Sequence, residues 1–490
     1  MLKIPRRNQL WTIILLLVFL LRLPSLFEPY WYGDEGVYLA VGQALQKGKF
    51  LYREVFDNKT PLIYLLAAVS GNLFWFRFFL LISVLFSTFL FCRLAEKFFP
   101  SKIAKIISCL VFVVFSSTPF IEGNITNSEI LQILPTLLAI SLLVAEKRSN
   151  QKFFFTGFLF GISLLLKVPA GFDFLAILVF LVLNSNLNSK RKSLFVLGQP
   201  TFFLILGFLS PVLITLLYFL KNHFLEEFVQ ITFFQNLGYL SSWQTGSHQQ
   251  SLLQSGLSIK LLILGLLTGI ILMVKKIINN YWASLVQLWF VFSLFGSLLS
   301  NRPYGHYLLQ VLAPACFLIG FIFSGKMIVQ AFSFGLLAIL LLVWNLIKFW
   351  SYPVFSYYSN FANFMIGRKT QIQYFSFFDK KVPDLYRVAN YLVVSTRPKE
   401  AIFIWADEPT IYALSKRLST SRFLAAYHII DFNKFKEVQE SLAKEPPEII
   451  VFDSNKKGIF KELENLIETQ YLKIQKFNNF EIYYQITNED

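Results

Sequence analysis

The stretch 31-WYGDEGVYLAVGQALQKGKFLYREVFDNKTPLIYLL-66 follows directly after an apolar run near residues 9–26. The spacing of apolar residues from Gly36 to Gln46 predicts an amphipathic helix that lies in a membrane interface. Gly48 is a typical residue to end such a helix. The stretch is therefore expected to be a structured loop at the membrane face.

Two adjacent carboxylates, Asp34 and Glu35, open this loop. A carboxylate held between a membrane span and an interfacial helix is partly desolvated, which suits general-base chemistry. The alternative is structural: Asp34 caps the helix and Glu35 lies in its first turn. Spacing alone leaves both interpretations open.

The rest of the chain is too apolar for a water-soluble protein. Of 490 residues, 55% are hydrophobic and 56 are Phe. Only 15% are charged, against roughly 25% in an average soluble domain. The net charge of +16 does not indicate nucleic-acid binding, because the excess of Lys and Arg lies in short loops of the hydrophobic part.

Eleven apolar segments approach the roughly 20 residues that a spanning helix needs. They lie near 9–26, 76–93, 103–119, 128–145, 153–168, 171–185, 194–220, 258–274, 281–300, 305–324 and 327–347. The shorter apolar segment 61–75 is predicted to be interfacial or re-entrant. These segments therefore predict a polytopic α-helical membrane protein.

Basic residues orient these spans. They cluster at 3–7, 93–105, 147–152, 190–192 and 275–276. With eleven spans all of these clusters fall on one side, which the positive-inside rule makes the cytoplasm. We therefore expect a multi-pass plasma-membrane protein with a cytoplasmic N-terminus, and with the loop 27–60 and all residues after about 348 outside the cell.

The sequence changes character near residue 380. Strand-length apolar runs at 401–406, 448–452, 471–477 and 480–485 alternate with helix-like stretches at 384–395, 409–417, 431–444 and 459–468. This pattern predicts a small extracytoplasmic α/β domain over 381–490. A linker over 351–380 would join it to a transmembrane domain over 1–350.

Further polar residues are predicted at the outer face. Lys59 precedes the re-entry of the chain into the membrane, and it either neutralises a phosphate or snorkels to the interface. Glu129 lies at the outer end of a span, as a functional acid or as a helix-start residue. Lys167 and Asp173 flank another outer turn and are interpreted as marking the membrane boundary.

The late outer segment 302-RPYGHY-307 adds a cation and two aromatic rings. Arg302 offers a guanidinium fork to phosphate oxygens. His306 is a hydrogen-bond donor, a metal ligand or a structural residue. The three cysteines give neither a disulfide framework nor a metal-ligand spacing.

The predicted topology places Asp34, Lys59, Glu129 and Arg302 at the same face. Acids beside cations suit a polyprenyl-phosphate substrate, because its tail stays in lipid while its phosphate needs cations and its acceptor needs a base. These four residues are far apart in sequence, so their shared face is the observation that connects them.

The first loop resembles that of the C-type membrane glycosyltransferases, in the branch (family 39-like) of the protein O-mannosyltransferases and the lipid A aminoarabinose transferases. The matching residues are Gly33-Asp34-Glu35, Tyr38, Ala44-Leu45, Gly48, Leu51-Tyr52, Asp57, Lys59, Pro61-Leu62, Tyr64 and Arg77. Arg302, His306-Tyr307 and Pro314 resemble the late outer loop, and 403–423 resembles the outer domain of bacterial members.

The resemblance implies transfer of a sugar from a polyprenyl-phosphate donor to a glycan, lipid or protein acceptor. It implies Asp34 as the base and Glu129 as a second catalytic acid. It also implies Lys59, Arg302, His306 and Tyr307 as substrate or phosphate contacts. Glu35 is assigned either to this binding set or to support of the loop.

Two features depart from the family pattern. Asn58 and Thr60 flank Lys59 where the aminoarabinose branch has an acid and a proline. An acid-based metal site at this point is therefore not expected, and a divalent metal could take part but is not required. The β-trefoil repeats of eukaryotic mannosyltransferases are missing from the sequence, so a bacterial-type member fits better.

Two other classes of function are weighed against this one. A lipid-linked-sugar transporter or flippase is also polytopic and basic, but such proteins bind at the midplane through inverted repeats, and no convincing repeat is found. A non-catalytic scaffold with a sensory outer domain would tolerate alanine at Asp34, Lys59 and Arg302.

Overall fold

A computed structural model describes residues 6–146, 149–183, 192–235, 256–278, 280–300 and 302–486. The basic clusters at 3–7, 147–152 and 190–192 therefore fall partly outside the described residues, as does the segment 221–257 between the predicted spans 194–220 and 258–274. The chain forms two compact units. The first comprises residues 1–25, 78–225 and 232–354, and the second comprises 26–77, 226–231 and 355–490.

The first unit is helical. Its helices are Arg6–Arg22, Lys102–Ser117, Ser128–Leu131, Ile133–Leu143, Asn150–Leu166, Gly171–Leu183, Lys192–Lys221, Leu257–Ile278, Tyr281–Ser297, Leu309–Ile322 and Met327–Ile347. Helix Leu73–Phe98 belongs mostly to this unit, and helix Leu225–Val229 begins in it. Short 3-10 turns at Leu23–Phe27, Pro119–Ile121, Val168–Ala170 and Gly305–Leu308 connect these helices.

Within the described residues, each of the eleven predicted spans overlaps a helix or a helix pair. Within the described ranges, six helices are long and apolar enough to cross a membrane: Gln9–Phe27, Leu73–Phe98, Gly198–Lys221, Leu257–Lys275, Gly305–Ile322 and Met327–Ile347. Four shorter apolar helices accompany them. A multi-pass membrane protein is thus established, while the count of eleven spans stays a prediction.

The second unit contains helices Gly33–Gln46, Leu62–Ser70, Val354–Met365, Gln371–Ser376, Val382–Ser395, Thr410–Ser415, Ala426–Asp431, Phe435–Lys444 and Lys461–Gln470. Its four strands are β1 (Ile402–Trp405), β2 (Ile449–Asp453), β3 (Tyr471–Phe477) and β4 (Phe480–Gln485). All four lie where the sequence indicated. The segment 351–380 was predicted to be a linker, and it contains two of these helices.

The strands form one mixed sheet in the order β1-β2-β4-β3. Strand β1 pairs with β2 in parallel, β2 pairs antiparallel with β4, and β3 and β4 form a hairpin. Strand β1 and most of β2 are buried, as the unbroken apolar runs IFIW and IIVF require. The turn of the hairpin uses Asn478 at a φ of 51°, a conformation that Asn tolerates.

The first-loop helix differs from its prediction in one respect. It begins at Gly33 and ends at Gln46, close to the expected bounds, but residues 35–44 are buried without interruption. The amphipathic pattern led us to expect an exposed polar face, and this expectation is wrong for residues 35–44. The place of the helix at a membrane interface stays a prediction. The helix packs closely on its neighbours within the second unit: a Cβ at Gly36 would lie 2.4 Å from Thr410 Oγ1, and one at Gly42 would lie 2.6 Å from the backbone nitrogen of Ala68.

Candidate active site

The first turn of helix Gly33–Gln46 separates the two adjacent acids. The side chain of Asp34 is 36% exposed, whereas Glu35 is 2% exposed, because successive helical residues point about 100° apart. The N-cap position is Tyr32, so Asp34 lies inside the first turn. The alternative that Asp34 caps the helix is therefore wrong, and its carboxylate faces other partners.

Asp34 forms an accessible pair with Lys59. The Nζ of Lys59 donates to Asp34 Oδ2 over 3.5 Å, and the lysine side chain is 28% exposed. Tyr38, one turn further along the helix, donates its hydroxyl to the same oxygen over 3.2 Å. Burial, together with the nearby negative charge of Asp34, raises the pKa of Tyr38 well above its ordinary value. The phenol therefore remains a donor to the carboxylate at physiological pH.

The backbone around Lys59 is fixed by two tyrosines. The Tyr52 hydroxyl donates to the Lys59 carbonyl over 2.7 Å, and the Lys59 backbone N–H donates to the Tyr64 oxygen over 3.0 Å. Tyr64 in turn donates to Asp57 Oδ2 over 2.7 Å. The lysine thus projects from a rigid loop, which orients its charge.

Asp57 is a buried acid at the centre of this loop. Its Oδ1 lies 3.5 Å from His428 Nε2. Burial alone would raise the pKa of Asp57, but the hydrogen bond and charge of His428, the charge of Lys59 and the Tyr64 hydroxyl outweigh it and lower the pKa. Asp57 therefore remains ionised and supports the loop from within.

Glu35 lies in a buried ion-pair network that does not face solvent. Arg77 donates from Nε to Glu35 Oε1 over 3.0 Å and from Nη2 to Oε2 over 2.5 Å. Its Nη1 lies 2.9 Å from Glu28 Oε2, and Tyr357 donates to the other oxygen of Glu28 over 2.5 Å. Of its two assigned roles, this environment favours support of the loop over substrate binding.

Glu129, in the first unit, lies in a second charged cluster. It is 2% exposed in helix Ser128–Leu131, and its Oε1 forms an ion pair with Lys167. His306 Nε2 lies 3.5 Å from the same oxygen, and His306 Nδ1 bonds Glu122. Lys167 therefore does more than mark a membrane boundary, since it neutralises Glu129.

The surrounding loops hold this cluster in place. Buried Arg22 donates to the carbonyls of Ser116 and Gly123 over 2.8 and 2.5 Å, and so fixes the loop that carries Glu122. Lys167 Nζ also lies 4.3 Å from the centroid of the Tyr307 ring. Both nitrogens of His306 face carboxylates, which favours a positioning role over the predicted phosphate contact.

Two other residues have distinct surroundings. Asp173 is buried and accepts from Trp289 Nε1 over 2.8 Å, from Gln310 Nε2 over 3.1 Å and from Ser293. It thus has a structural environment, although the sequence placed it at the membrane boundary. Arg302 is half-buried, and its backbone N–H donates to Ser300 Oγ over 3.3 Å.

The structure therefore brings the predicted residues together in two groups. Asp34 and Lys59 lie in the second unit, and Glu129, His306 and Tyr307 lie in the first. Sequence reasoning missed Glu28, Glu122 and His428. The first two were visible as acids at the ends of apolar runs, but their partners were not. Among the described residues, no group of three or more His, Cys, Asp or Glu is arranged to hold a metal ion.

Two stretches of the chain match known protein families. Residues 60–215 match the family described as dolichyl-phosphate-mannose-protein mannosyltransferase, and residues 384–486 match the C-terminal domain of the competence-induced protein Ccs4. Among curated proteins, none matches the chain.

Solved structures share the fold over nearly the whole chain. ArnT from Cupriavidus metallidurans bound to undecaprenyl phosphate superposes with a TM-score of 0.60 at 11% identity, covering 98% of this chain and 98% of ArnT. The apo state of ArnT gives a TM-score of 0.59 at 10% identity, with 98% and 99% covered. The resemblance indicated by the first loop is thus confirmed: the chain is a multi-pass membrane protein with the C-type glycosyltransferase fold and a C-terminal domain.

Proposed function

We propose that this protein transfers a sugar from a polyprenyl-phosphate donor to an acceptor at the extracytoplasmic face, with Asp34 as the general base. The observation that carries the proposal is the Asp34–Lys59 pair. Both side chains are partly exposed at 36% and 28%, yet each is held by buried groups of the second unit. An accessible acid beside an accessible cation is what the transfer requires.

The chemistry divides between the two side chains. Asp34 takes the proton from the acceptor nucleophile as that atom bonds to the anomeric carbon. The bond between the anomeric carbon and the phosphate oxygen breaks, and the polyprenyl phosphate departs with the electron pair. Lys59 neutralises the charge that develops on this phosphate. The 3.5 Å separation of Lys59 and Asp34 lets the lysine turn to the phosphate without breaking a tight ion pair.

Further roles are proposed for the charged cluster around Glu129 and for three other residues. Glu129 is proposed as the second catalytic acid, with Lys167 and His306 fixing its carboxylate. Arg302 and Tyr307 are proposed to contact the substrate phosphate or sugar. Glu35 is proposed to support the loop through Arg77. The fold shared with a protein that was solved with undecaprenyl phosphate supports a lipid-linked donor.

The test is a deletion strain that carries plasmid-borne variants. Mass spectrometry of glycans and lipids should show a sugar that disappears on deletion, returns with the wild type and does not return with Asp34→Asn. Glu54→Gln is a matched control, since Glu54 is also 36% exposed, lies in the same loop and pairs with Lys49 over 3.4 Å. Restoration of the sugar by Asp34→Asn would reject the base assignment, and no lost sugar on deletion would reject the function.

A further inference from the structure

The segment 121–132 is buried throughout, although it is rich in polar residues. It reads IEGNITNSEILQ and includes helix Ser128–Leu131. The polar groups of a buried stretch have no access to bulk water. Its many donors and acceptors must therefore find hydrogen-bond partners inside the protein or on a ligand. Glu122 and Glu129 meet this requirement through His306 and Lys167.

Three neighbouring side chains do not meet it. Asn127, Ser128 and Gln132 are 0%, 1% and 1% exposed. Both amide atoms of Asn127, the hydroxyl of Ser128 and both amide atoms of Gln132 have no hydrogen-bond partner within the described part of the chain. Five adjacent buried polar atoms in this state cost substantial free energy, so their retention calls for a partner that the chain does not supply.

These atoms share one region. Gln132 follows Ser128 by four residues, and its backbone N–H donates to the Ser128 carbonyl over 3.1 Å, so both side chains lie on one helical face. Asn127 occupies the N-cap position of the same helix without a side-chain capping bond. The catalytic candidate Glu129 lies between them in sequence.

The neighbours of this group are aromatic. The turn Gly305–Leu308 packs against helix Ser128–Leu131. In this region the rings of Tyr304 and His306 stack at 5.5 Å, and Tyr307 lies edge-on to both, at 5.6 Å from Tyr304 and 4.8 Å from His306. Amides and hydroxyls bind the hydroxyl groups of a sugar. Aromatic faces cover its C–H surface, and a carboxylate lies beside them. Together these groups are the chemistry that recognises a sugar ring.

We propose that Asn127, Ser128 and Gln132 form a sugar-binding subsite that hydrogen-bonds the ring hydroxyl groups of a saccharide. The proposal rests on the proposed function and deepens it, because it locates the recognition of the sugar. Amide and hydroxyl groups donate and accept, so the subsite discriminates sugars by the positions of their hydroxyl groups.

The test uses apolar replacements of similar size in the deletion strain. Asn127→Leu and Gln132→Leu should each reduce the restored sugar at least tenfold. Their thermal unfolding in detergent should be unchanged or higher, since they remove buried polar atoms that have no protein partner. Ser128→Ala, the smallest change, decides the outcome if either larger variant fails to fold, and it too should reduce the product.

The matched control is Thr88→Val. Thr88 is 0% exposed in helix Leu73–Phe98, and its hydroxyl also has no partner among the described residues. The control should restore the sugar fully. If Ser128→Ala and the folded Leu variants also restore it fully, the subsite is rejected and solvent is the partner of these atoms.

A second measurement separates the two saccharides that the subsite could hold. Wild type and Asn127→Leu are purified from the source cells, and the lipids that co-purify are identified by mass spectrometry. Loss of polyprenyl-phosphate sugar with retention of polyprenyl phosphate assigns the subsite to the donor. Retention of the donor with loss of product assigns it to a saccharide acceptor. Failure of the proposed function would appear separately, as no sugar lost on deletion of the wild-type chain.

Discussion

His428 Nε2 lies 3.5 Å from Asp57 Oδ1, so the C-terminal part of the chain contacts the loop that carries Lys59. Arg422 strengthens the same contact. Its Nη1 donates to the Tyr52 carbonyl over 2.9 Å, and its own carbonyl accepts from the backbone N–H of Phe56 over 2.8 Å. Within the second unit, residues 422–428 are therefore part of the support of the candidate catalytic loop.

This contact predicts a pH-dependent contribution to stability. The pKa of Asp57 is lower in the folded protein than its ordinary value of 3.8, so ionised Asp57 stabilises the fold. The contribution is complete well above pH 3.8 and is lost as the pH falls from there through the lower folded pKa. Asp57→Asn should lower the unfolding free energy at pH 7 by about 1–3 kcal/mol, and the difference from wild type should shrink below pH 4.

Thermal unfolding in detergent from pH 7 to pH 3 checks this prediction. Asp407→Asn is the control, because Asp407 is an exposed acid of the same unit whose side chain is 43% exposed. A wild-type advantage over Asp57→Asn that stays constant across this range would contradict the assigned electrostatic role.

Removing the charge of Lys59 should reduce activity toward the donor and should change the stability of the fold little. Lys59→Met keeps the apolar stem and removes the charge, so kcat/KM for a labelled polyprenyl-phosphate sugar should fall by about 100-fold. Lys59→Arg should recover part of the loss. Initial rates with purified protein measure both variants. Lys49→Met is the control, because Lys49 lies in the same loop and its side chain is 41% exposed. Equal rates for Lys59→Met and Lys49→Met would exclude a special role for Lys59.

The Glu28–Arg77–Glu35 network should be required for folding. Arg77→Met leaves two buried carboxylates without their cation and should cost about 3–5 kcal/mol. Replacing both acids as well, with Glu28→Gln and Glu35→Gln, should restore part of this stability because no buried charge remains. Fluorescence-detected gel filtration after heating ranks the variants. A triple variant less stable than Arg77→Met would argue against this electrostatic explanation.

Gly36 should be intolerant of a side chain. A Cβ there would lie 2.4 Å from Thr410 Oγ1 and 3.0 Å from the Thr410 backbone nitrogen. Gly36→Ala should therefore destabilise the second unit by about 1–3 kcal/mol. Thr410→Ala removes the closest atom and should recover part of the loss in the double variant, as a double-mutant cycle of melting temperatures would show. Additive effects would mean that the two residues do not touch.

The sequence predicted the elements better than their environments. Apolar runs at 402–405 and 449–452 are short and unbroken, so they identify strands without knowledge of their neighbours. The spacing of apolar residues did not predict the burial of residues 35–44. It does not reveal that Gly36 and Gly42 permit close packing on two further elements. Burial on every face depends on partners that are distant in sequence.

The candidate site shows the same difference between what local sequence predicts and what depends on residues distant in sequence. Asp34 and Lys59 were found because both lie in one motif-rich loop. Glu122 and His428 were missed because their significance comes from His306 and Asp57, with which no local pattern connects them. Periodicity reports which face of one helix is apolar, and it does not report which charged residue of a distant segment neutralises a buried acid.

The second unit is assembled mainly from residues 26–77 and residues 355–490, with 226–231 between them in sequence, so its two main parts leave the ribosome far apart in time. At translation rates of about 5–20 residues per second, the early segment waits roughly 15 seconds to a minute for its packing partners. During this interval the helix with Asp34 has neither Thr410, on which Gly36 packs, nor the carbonyl of Ala413, which accepts from Gln43 Nε2 over 2.8 Å. A nascent chain released early should therefore be inactive however complete its membrane helices are, and a protease would reach the buried helix residues 35–44 only before this packing forms.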